Sequence, residues 1–468
     1  MFKNFFASIT RNAISLIGTA LALASLVLIA SLFMMEQFGF EGGPYLGILT
    51  YLILPMIFVT GLVLIPIGAI LWRRKMARSP GGQSTSLLPI FDLNVAHTRR
   101  WLLIFLGATM FNIIILSAAT YKGVEVMESV EFCGMACHAV MEPEHTAHQR
   151  SPHSRVSCAD CHIGPGADWF VKSKMDGAWQ LVAVALDLYP RPIPTPLHDL
   201  RPARDTCEQC HWPTKFVGDK LRVIKSYEED EANTELTTAM LLHVGGSEGM
   251  GSSGIHWHVD RDVAIRYRSD ESREEVYEVE LTRRDGSVTK FSDRKAPEEG
   301  GMWRSMDCVD CHNRPSHIYR PPGKEVDKAI NTGLIDRTLP FVKRESMRII
   351  DAEYESHEVA RDEITSQLTQ YYAENYPLQS AENADAIRAA ADTLGDIYSV
   401  NVFPQMKVWW NTYPNHIGHE QSPGCYRCHK KSMRTEDRVS ISRECDTCHV
   451  LLAEKEENPQ IMTTLNPD

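Results

Sequence analysis

The sequence predicts a mainly α, membrane-anchored protein with three transmembrane helices, an outer domain packed around prosthetic groups and a small antiparallel β insertion. Three observations predict it. The first 120 residues of the 468 contain three long apolar runs. After those runs, twelve cysteines fall into six short motifs, each closed by a histidine. Between the third and fourth motifs the pattern changes to a two-residue period, the mark of a half-buried strand.

The apolar runs are Ala13 to Met35, Leu46 to Leu71 and Leu102 to Ala119. Each is close to the ~20 residues that a bilayer span requires. The loop from Trp72 to Trp101 carries Arg73, Arg74, Lys75, Arg78, Arg99 and Arg100, whereas the stretch "EQFGFEGGPY" between the first two runs carries no basic residue. Lysine and arginine favour the cytoplasmic side. The basic loop is therefore expected inside, as is the N-terminus with Lys3 and Arg11, and everything after Ala119 is expected outside. The first run is longer than the ~7–15 residues of a signal-peptide core, so it reads as a retained anchor.

Five of the motifs are regular: Cys158, Cys161, His162; Cys207, Cys210, His211; Cys308, Cys311, His312; Cys425, Cys428, His429; and Cys445, Cys448, His449. The C-x-x-C-H pattern is that of covalent c-type haem attachment. Each thiol adds to one vinyl group, and the histidine turns under the ring as an axial ligand. The sixth, first in the chain, lies in "EFCGMACHAV": Cys133, Cys137 and His138, with one residue too many between the cysteines. Zinc ribbons also pair C-x-x-C units, but they do not need a histidine after each second cysteine. No cysteine is left over, so six covalently bound haem c groups are expected, all on the oxidising side. The net charge of −12 argues against a nucleic-acid partner. The 25 prolines suit a domain whose volume is filled by haem.

Four regions follow: 1–120, a three-helix transmembrane anchor; 121–215, with the first three motifs; 216–300, the β insertion; and 301–468, a helical C-terminal region with the last three. In the insertion, Val263, Ile265 and Tyr267 alternate with Arg266 and Arg268, and Asp285-Gly286 signals a hairpin. Later, Ile387, Ala391 and Leu394 fall on one helical face, and the acidic stretch from Glu345 to Glu374 also reads as helix. The segment "GADWFVKSKMDGAWQLVAVALDLYP" after His162 is too short and too charged to span. It reads as an amphipathic helix lying in the membrane interface.

Twelve histidines lie outside the motifs. His97 sits in the cytoplasmic loop, which leaves eleven as possible second ligands. The foremost candidates are His153, His317 and His419, followed by His243, His256, His258 and His416, with His145, His148, His198 and His357 behind. An iron with two protein ligands has no free position for substrate, so the surplus points to a wire rather than a haem-centred reductase.

The anchor leading into "FCGMACHAVMEPEHTAHQRSPHSRVSCADCHIGPGADWFVKSK", and then "LRPARDTCEQCHW", resembles the NapC/NirT family of membrane-anchored multihaem cytochrome c quinol dehydrogenases, which includes the NrfH-type subunits. The resemblance covers roughly residues 101 to 215. It implies oxidation of membrane quinol, menaquinol or ubiquinol, with electrons handed to a periplasmic cytochrome or other redox protein. It also implies a quinol pocket near the first haem with a lysine after the second motif, a place matched by Lys174 and less closely by Lys172. Asp176 beside them would take a proton as general base. Met141 matches a methionine that ligates the first iron, and His153 or His148 a histidine that ligates a different haem. Three spans, six haems, the β insertion and the helical C-terminal part depart from the usual family plan of one span and four or five haems, and place the chain nearer the longer inner-membrane variants. The expected protein is thus a mainly α membrane-anchored multihaem cytochrome c of the bacterial inner membrane, its haem domain facing the periplasm. The rival readings are a quinone reductase running in reverse, a terminal multihaem reductase, and an electron-relay subunit of a larger membrane complex.

Overall fold

A computed structural model of the chain describes residues 12–38, 49–77, 93–136, 138–164, 166–197, 200–212, 216–245, 254–260, 262–297, 299–420 and 422–465. Lys3, Arg11, Arg78, Cys137 and His198, with most of the uncharged stretch after the first run, lie outside these residues, as do the side chains of Arg73 and His138. The chain forms two compact units, Met1–His138 and Ala139–Asp468.

The first unit contains α1 (Ala13–Gln37), α2 (Leu54–Ala77), which is preceded by the π-helical turn Leu49–Ile53, and α3 (Ala96–Met127). Three stretches within these helices, Ala13–Met35, Leu49–Met76 and Leu102–Met127, are long and apolar enough to cross a bilayer. Small residues bring α1 and α2 close together: a Cβ on Gly18 would lie 2.7 Å from the Gly61 carbonyl oxygen, and one on Gly61 would lie 2.7 Å from the Ala22 nitrogen. Close approach through glycine is how helices associate in lipid, where apolar burial gives no net drive. The Ser15 hydroxyl donates to the Ile65 carbonyl at 2.9 Å. Along the third span Leu103, Phe105, Met110 and Ile114 stay exposed, as lipid-facing residues should. This helix runs eight residues beyond Ala119, because "TYKGVEVM" contains no proline and gains a Lys122–Glu125 pair at 2.9 Å. Ser129 then caps α4 (Val130–Met135), which carries Cys133.

The second unit opens with α5 (His138–Gln149), whose first residue belongs to the first unit, and continues through α6 (Cys158–His162), α7 (Ala167–Ala185) and α8 (Ala203–Cys207). Two antiparallel sheets follow, one of order β1-β2-β8 and one of order β6-β3-β4-β5-β7. The strands are β1 (Gly218–Tyr227), β2 (Glu235–Gly245), β3 (Val263–Ser269), β4 (Val276–Arg283), β5 (Val288–Asp293), β6 (Met302–Ser305), β7 (Met433–Arg434) and β8 (His449–Glu456). As the alternation predicts, Ile265 and Tyr267 are buried and Arg266 is exposed; Arg268 turns inward and pairs with Glu278 at 2.8 Å. Asp285-Gly286 lies in the turn joining β4 to β5, with Gly286 at φ +81°, a conformation suited to glycine.

After α9 (Cys308–Cys311) comes a helical block: α10 (Pro322–Asn331), α11 (Val342–Ile350), α12 (His357–Asn375) and α13 (Ala384–Ser399). The predicted face of α13 is its core face, with Ile387, Ala391 and Leu394 all buried. Residues 301–468 are not helical throughout, however. Beyond α13 the chain is irregular, and its last strands return to the sheets: β7 pairs with β5 and β8 with β2. The β structure is therefore two sheets completed from the C-terminal tail, rather than a local insertion within 216–300. The reason is local. Gly424 sits at φ +44° at the start of a single 3-10 turn, Gly424–Arg427, in place of an α-helix, and "HVLLAEKE" pairs along β2.

Candidate haem-binding sites

Most motifs are built on a single helical turn, which places the two cysteines of a C-x-x-C pair on the same side. In motif two the Ser157 hydroxyl accepts from Asp160 N at 3.1 Å, and the Asp160 carboxylate accepts from Ser157 N at 3.2 Å, a reciprocal cap. Asp307 and Asp310 do the same for motif four. Motif three lies at the end of α8, while motifs five and six fall on the 3-10 turns Gly424–Arg427 and Cys445–Thr447. Cys161, Cys207, Cys210, Cys308, Cys311, Cys425, Cys428, Cys445 and Cys448 are free thiols. Among the described residues, no group of three or more His, Cys, Asp and Glu side chains is arranged to hold a bare metal ion.

Motifs two to six neighbour one another in chain order. The Cys161 thiol of motif two is raised, first by partial burial and next by Cys207 of motif three. Cys207 and Cys308 hydrogen-bond to each other, which raises the Cys308 thiol and lowers that of Cys207. Between motifs four and five, burial pushes Cys428 up to about 12, with Cys311 adding to the rise, and Arg427 donates to the Asp310 carbonyl. Motifs five and six meet where Arg443 Nε donates to the His429 carbonyl at 3.1 Å.

The histidines come in pairs. Each of the five regular motif histidines has a ring neighbour from elsewhere in the chain: His162 with His317 (centroids 6.2 Å apart), His211 with His153 (6.0 Å), His312 with His256 (6.3 Å), His429 with His258 (5.9 Å) and His449 with His419 (6.2 Å). Two imidazoles bound to opposite sides of one metal ion through bonds of ~2.0–2.1 Å, with a ring radius of ~1.1 Å each, would have centroids roughly 6.3 Å apart. Four of the rings hold their outer nitrogen on a backbone carbonyl: His153 Nδ1 on Pro315 (3.2 Å), His256 on Val244 (2.8 Å), His258 on Ile255 (2.8 Å) and His429 on Ser442 (2.6 Å). Such a bond fixes the tautomer and leaves Nε2 available to bind a metal. His258 and His317 are held below the ordinary imidazole range, chiefly by burial, which favours the neutral form that binds metal.

Buried cations also await a partner. Arg201 Nε and Nη1, Arg304 Nε and Nη2 and the Thr206 hydroxyl are buried without a hydrogen-bond partner, and all flank motifs three and four. A haem brings two carboxylates, which would meet that need. Thiols, paired imidazoles and orphaned guanidiniums thus fit c-type haem.

The remaining candidates fall elsewhere. His416 has both ring nitrogens engaged, Nδ1 with the Asp310 carbonyl (3.2 Å) and Nε2 with Glu274 (2.7 Å), so it braces motif four instead of facing a partner ring. His243 Nδ1 pairs with Asp219 at 2.7 Å. His148 is buried, with Nε2 on the Val156 carbonyl at 3.1 Å and its ring centroid 6.3 Å from that of His317, so His317 has a second ring neighbour; His145 meets Gln149 and His357 the Val402 carbonyl. His97 is exposed and Met141 half-buried on α5. On α7, the Lys172 ammonium lies 5.4 Å from the Trp169 ring centre and that of Lys174 4.8 Å from Phe170, with Asp176 exposed. Sequence reasoning proposed the partner histidines but could not match them to motifs, because partners such as His256 and His312 meet through the sheet region. It missed Arg201 and Arg304, which carry no motif.

The model of the NapC/NirT cytochrome c family, N-terminal region, matches residues 95–190. The chain is also 44% identical over 454 residues to the cytochrome c-type protein ImcH of Geobacter sulfurreducens, an alignment covering 96% of this chain and 89% of that relative. No solved structure matches it. The family match begins at the third span and runs through motif two into α7, the stretch where anchor and haem motifs meet. With the paired imidazoles behind it and near full-length identity to a c-type cytochrome, the chain belongs to the NapC/NirT family: a membrane-anchored electron-transport cytochrome with covalently bound haem c.

Proposed function

We propose that the chain carries six haems, oxidises quinol at the outer face of the bacterial inner membrane, and passes the electrons to a periplasmic redox protein. The observation that carries this reading is the set of five histidine pairs, each with centroids 5.9–6.3 Å apart. Bound haem supplies a one-electron iron couple. The paired imidazoles would leave no position on those irons for a substrate, which favours transfer over chemistry at the metal. The succession of motifs two to six supports a relay in chain order.

Each quinol gives two electrons, taken singly, and two protons, released outside as quinone forms. On α7, Lys174 would donate to a quinol oxygen and Asp176 would accept a proton. Exposed Val171, Met175, Trp179, Leu181, Val182 and Leu186 give this helix the apolar surface that an interfacial helix needs. The irregular first motif would mark the entry haem, ligated by Met141 or His138. Both menaquinol and ubiquinol fit this chemistry.

The test is quinol-driven haem reduction in the purified protein. Lys174→Ala should slow it at least tenfold while leaving reduction by dithionite and haem content intact. Unchanged quinol kinetics would move the site away from Lys174, with Lys172→Ala the next variant to measure.

A further inference from the structure

His317 differs from the other paired histidines in what lies behind its ring. Four of those rest their Nδ1 on a backbone carbonyl alone. His317 Nδ1 donates to the Glu144 carbonyl at 3.0 Å, and the carboxylate Oε2 of the same residue lies 3.0 Å from the same nitrogen. That oxygen is buried and has no hydrogen-bond partner of its own. The other carboxylate oxygen, Oε1, faces Arg314 Nη1 at 3.3 Å. Arg314 is itself buried and held in place by aromatic rings, its guanidinium 3.8 Å from the centre of Tyr413 and 5.6 Å from that of Tyr319. The carboxylate and guanidinium are thus fixed at the outer edge of one imidazole, the carboxylate nearer.

We infer that Glu144 is a positioning residue that sets the potential of the second haem, holding it more negative than a carbonyl-backed pair would. The inference rests on the reading of His317 as the partner of His162 on that iron. The Nδ1–H itself goes to the Glu144 carbonyl, as in the other pairs, so the carboxylate acts through its charge. A buried negative charge close to the iron favours its more positive, oxidised state, and does so more strongly in a low-dielectric interior. That charge stabilises ferric iron. Arg314 opposes it, because its positive charge offsets part of the carboxylate's.

This gives two substitutions with opposite signs. Glu144→Gln keeps the shape and removes the charge, so one haem midpoint should move positive. A tenfold change in that haem's oxidised-to-reduced ratio at fixed potential corresponds to about 59 mV for one electron. Arg314→Gln removes the opposing charge, so the same midpoint should move negative. A bracing role alone would not reverse sign between the two.

The experiment is spectroelectrochemical titration of the full-length holoprotein and of each variant, with electron paramagnetic resonance counting the low-spin centres. The expected result is one midpoint shifted in opposite directions in the two variants, with the number of low-spin centres unchanged. Midpoints that stay in place, or that move the same way in both, overturn the inference. His317→Ala separates this from failure of the ligand reading. If it removes one low-spin centre while the Glu144→Gln midpoints stay fixed, ligation stands and the tuning role falls. If it removes none, the ligand reading falls and takes the inference with it.

Discussion

The helical block and the motif-bearing part of the same unit are held together by different means. In α10 to α13, Val326, Leu339, Val342, Ile349, Ile364, Leu368, Tyr372, Ala391 and Leu394 are all buried in one continuous core. The motif-bearing part has only small apolar clusters, one around Tyr319, Phe403 and Tyr413 and one around Ile265, Tyr267 and Val279. It also contains exposed cysteines and buried guanidinium nitrogens without a hydrogen-bond partner. Side chains alone can order the first region; the second is shaped around groups the polypeptide does not itself supply. Apolar burial explains one, and cofactor attachment the other.

The sharpest way to break this comparison is to withhold haem. In full-length protein produced without haem attachment, amide hydrogen exchange should show α11 to α13 still protected, while amides around motifs two to six exchange freely. Equal protection in both regions would remove the distinction. The next effect is at the seam. Glu325 is buried between Arg150 and Arg320, at 3.0 Å from each, and joins α10 to the motif-bearing part. Losing the acid strands two guanidiniums that are each about a third exposed, so the cost stays below the ~3–5 kcal/mol of a fully buried pair. Glu325→Ala should therefore lower the denaturation midpoint of the holoprotein, and an unchanged midpoint would deny the seam its role.

Leu394→Ala should cost ~2–5 kcal/mol, as large-to-small changes in a packed core do. The visible spectrum should stay unaltered, since Leu394 belongs to the core of the block and not to the clusters around the motifs; a changed spectrum would tie the block to the haem sites. The smallest global effect, but the most local, is His256→Ala. It should convert one haem from low to high spin with little loss of fold, whereas His416→Ala should leave every low-spin centre in place. The reverse pattern would exchange their roles.

Much of this was legible in the sequence because it rests on periodicity or fixed spacing. The three apolar runs became the three span-length helices, the alternation from Val263 became β3, and the i, i+4, i+7 pattern from Ile387 became the buried face of α13. The return of β7 and β8 to sheets begun far earlier in the chain was not legible, because pairing between distant strands leaves no local mark. The same holds within the sites. Cys158 and His162 announce themselves by spacing, but the match of His256 to His312 depends on the fold between them. A lone histidine such as His416 looks no different in sequence from one that faces another ring.

The central claim, five paired irons and one different, is tested most directly by near-infrared magnetic circular dichroism of the fully oxidised protein, scaled to its pyridine-haemochrome content. The account predicts six haems per chain, five of them bis-imidazole and one distinct at the motif containing Cys133 and Cys137. Fewer than five bis-imidazole centres per chain would contradict it.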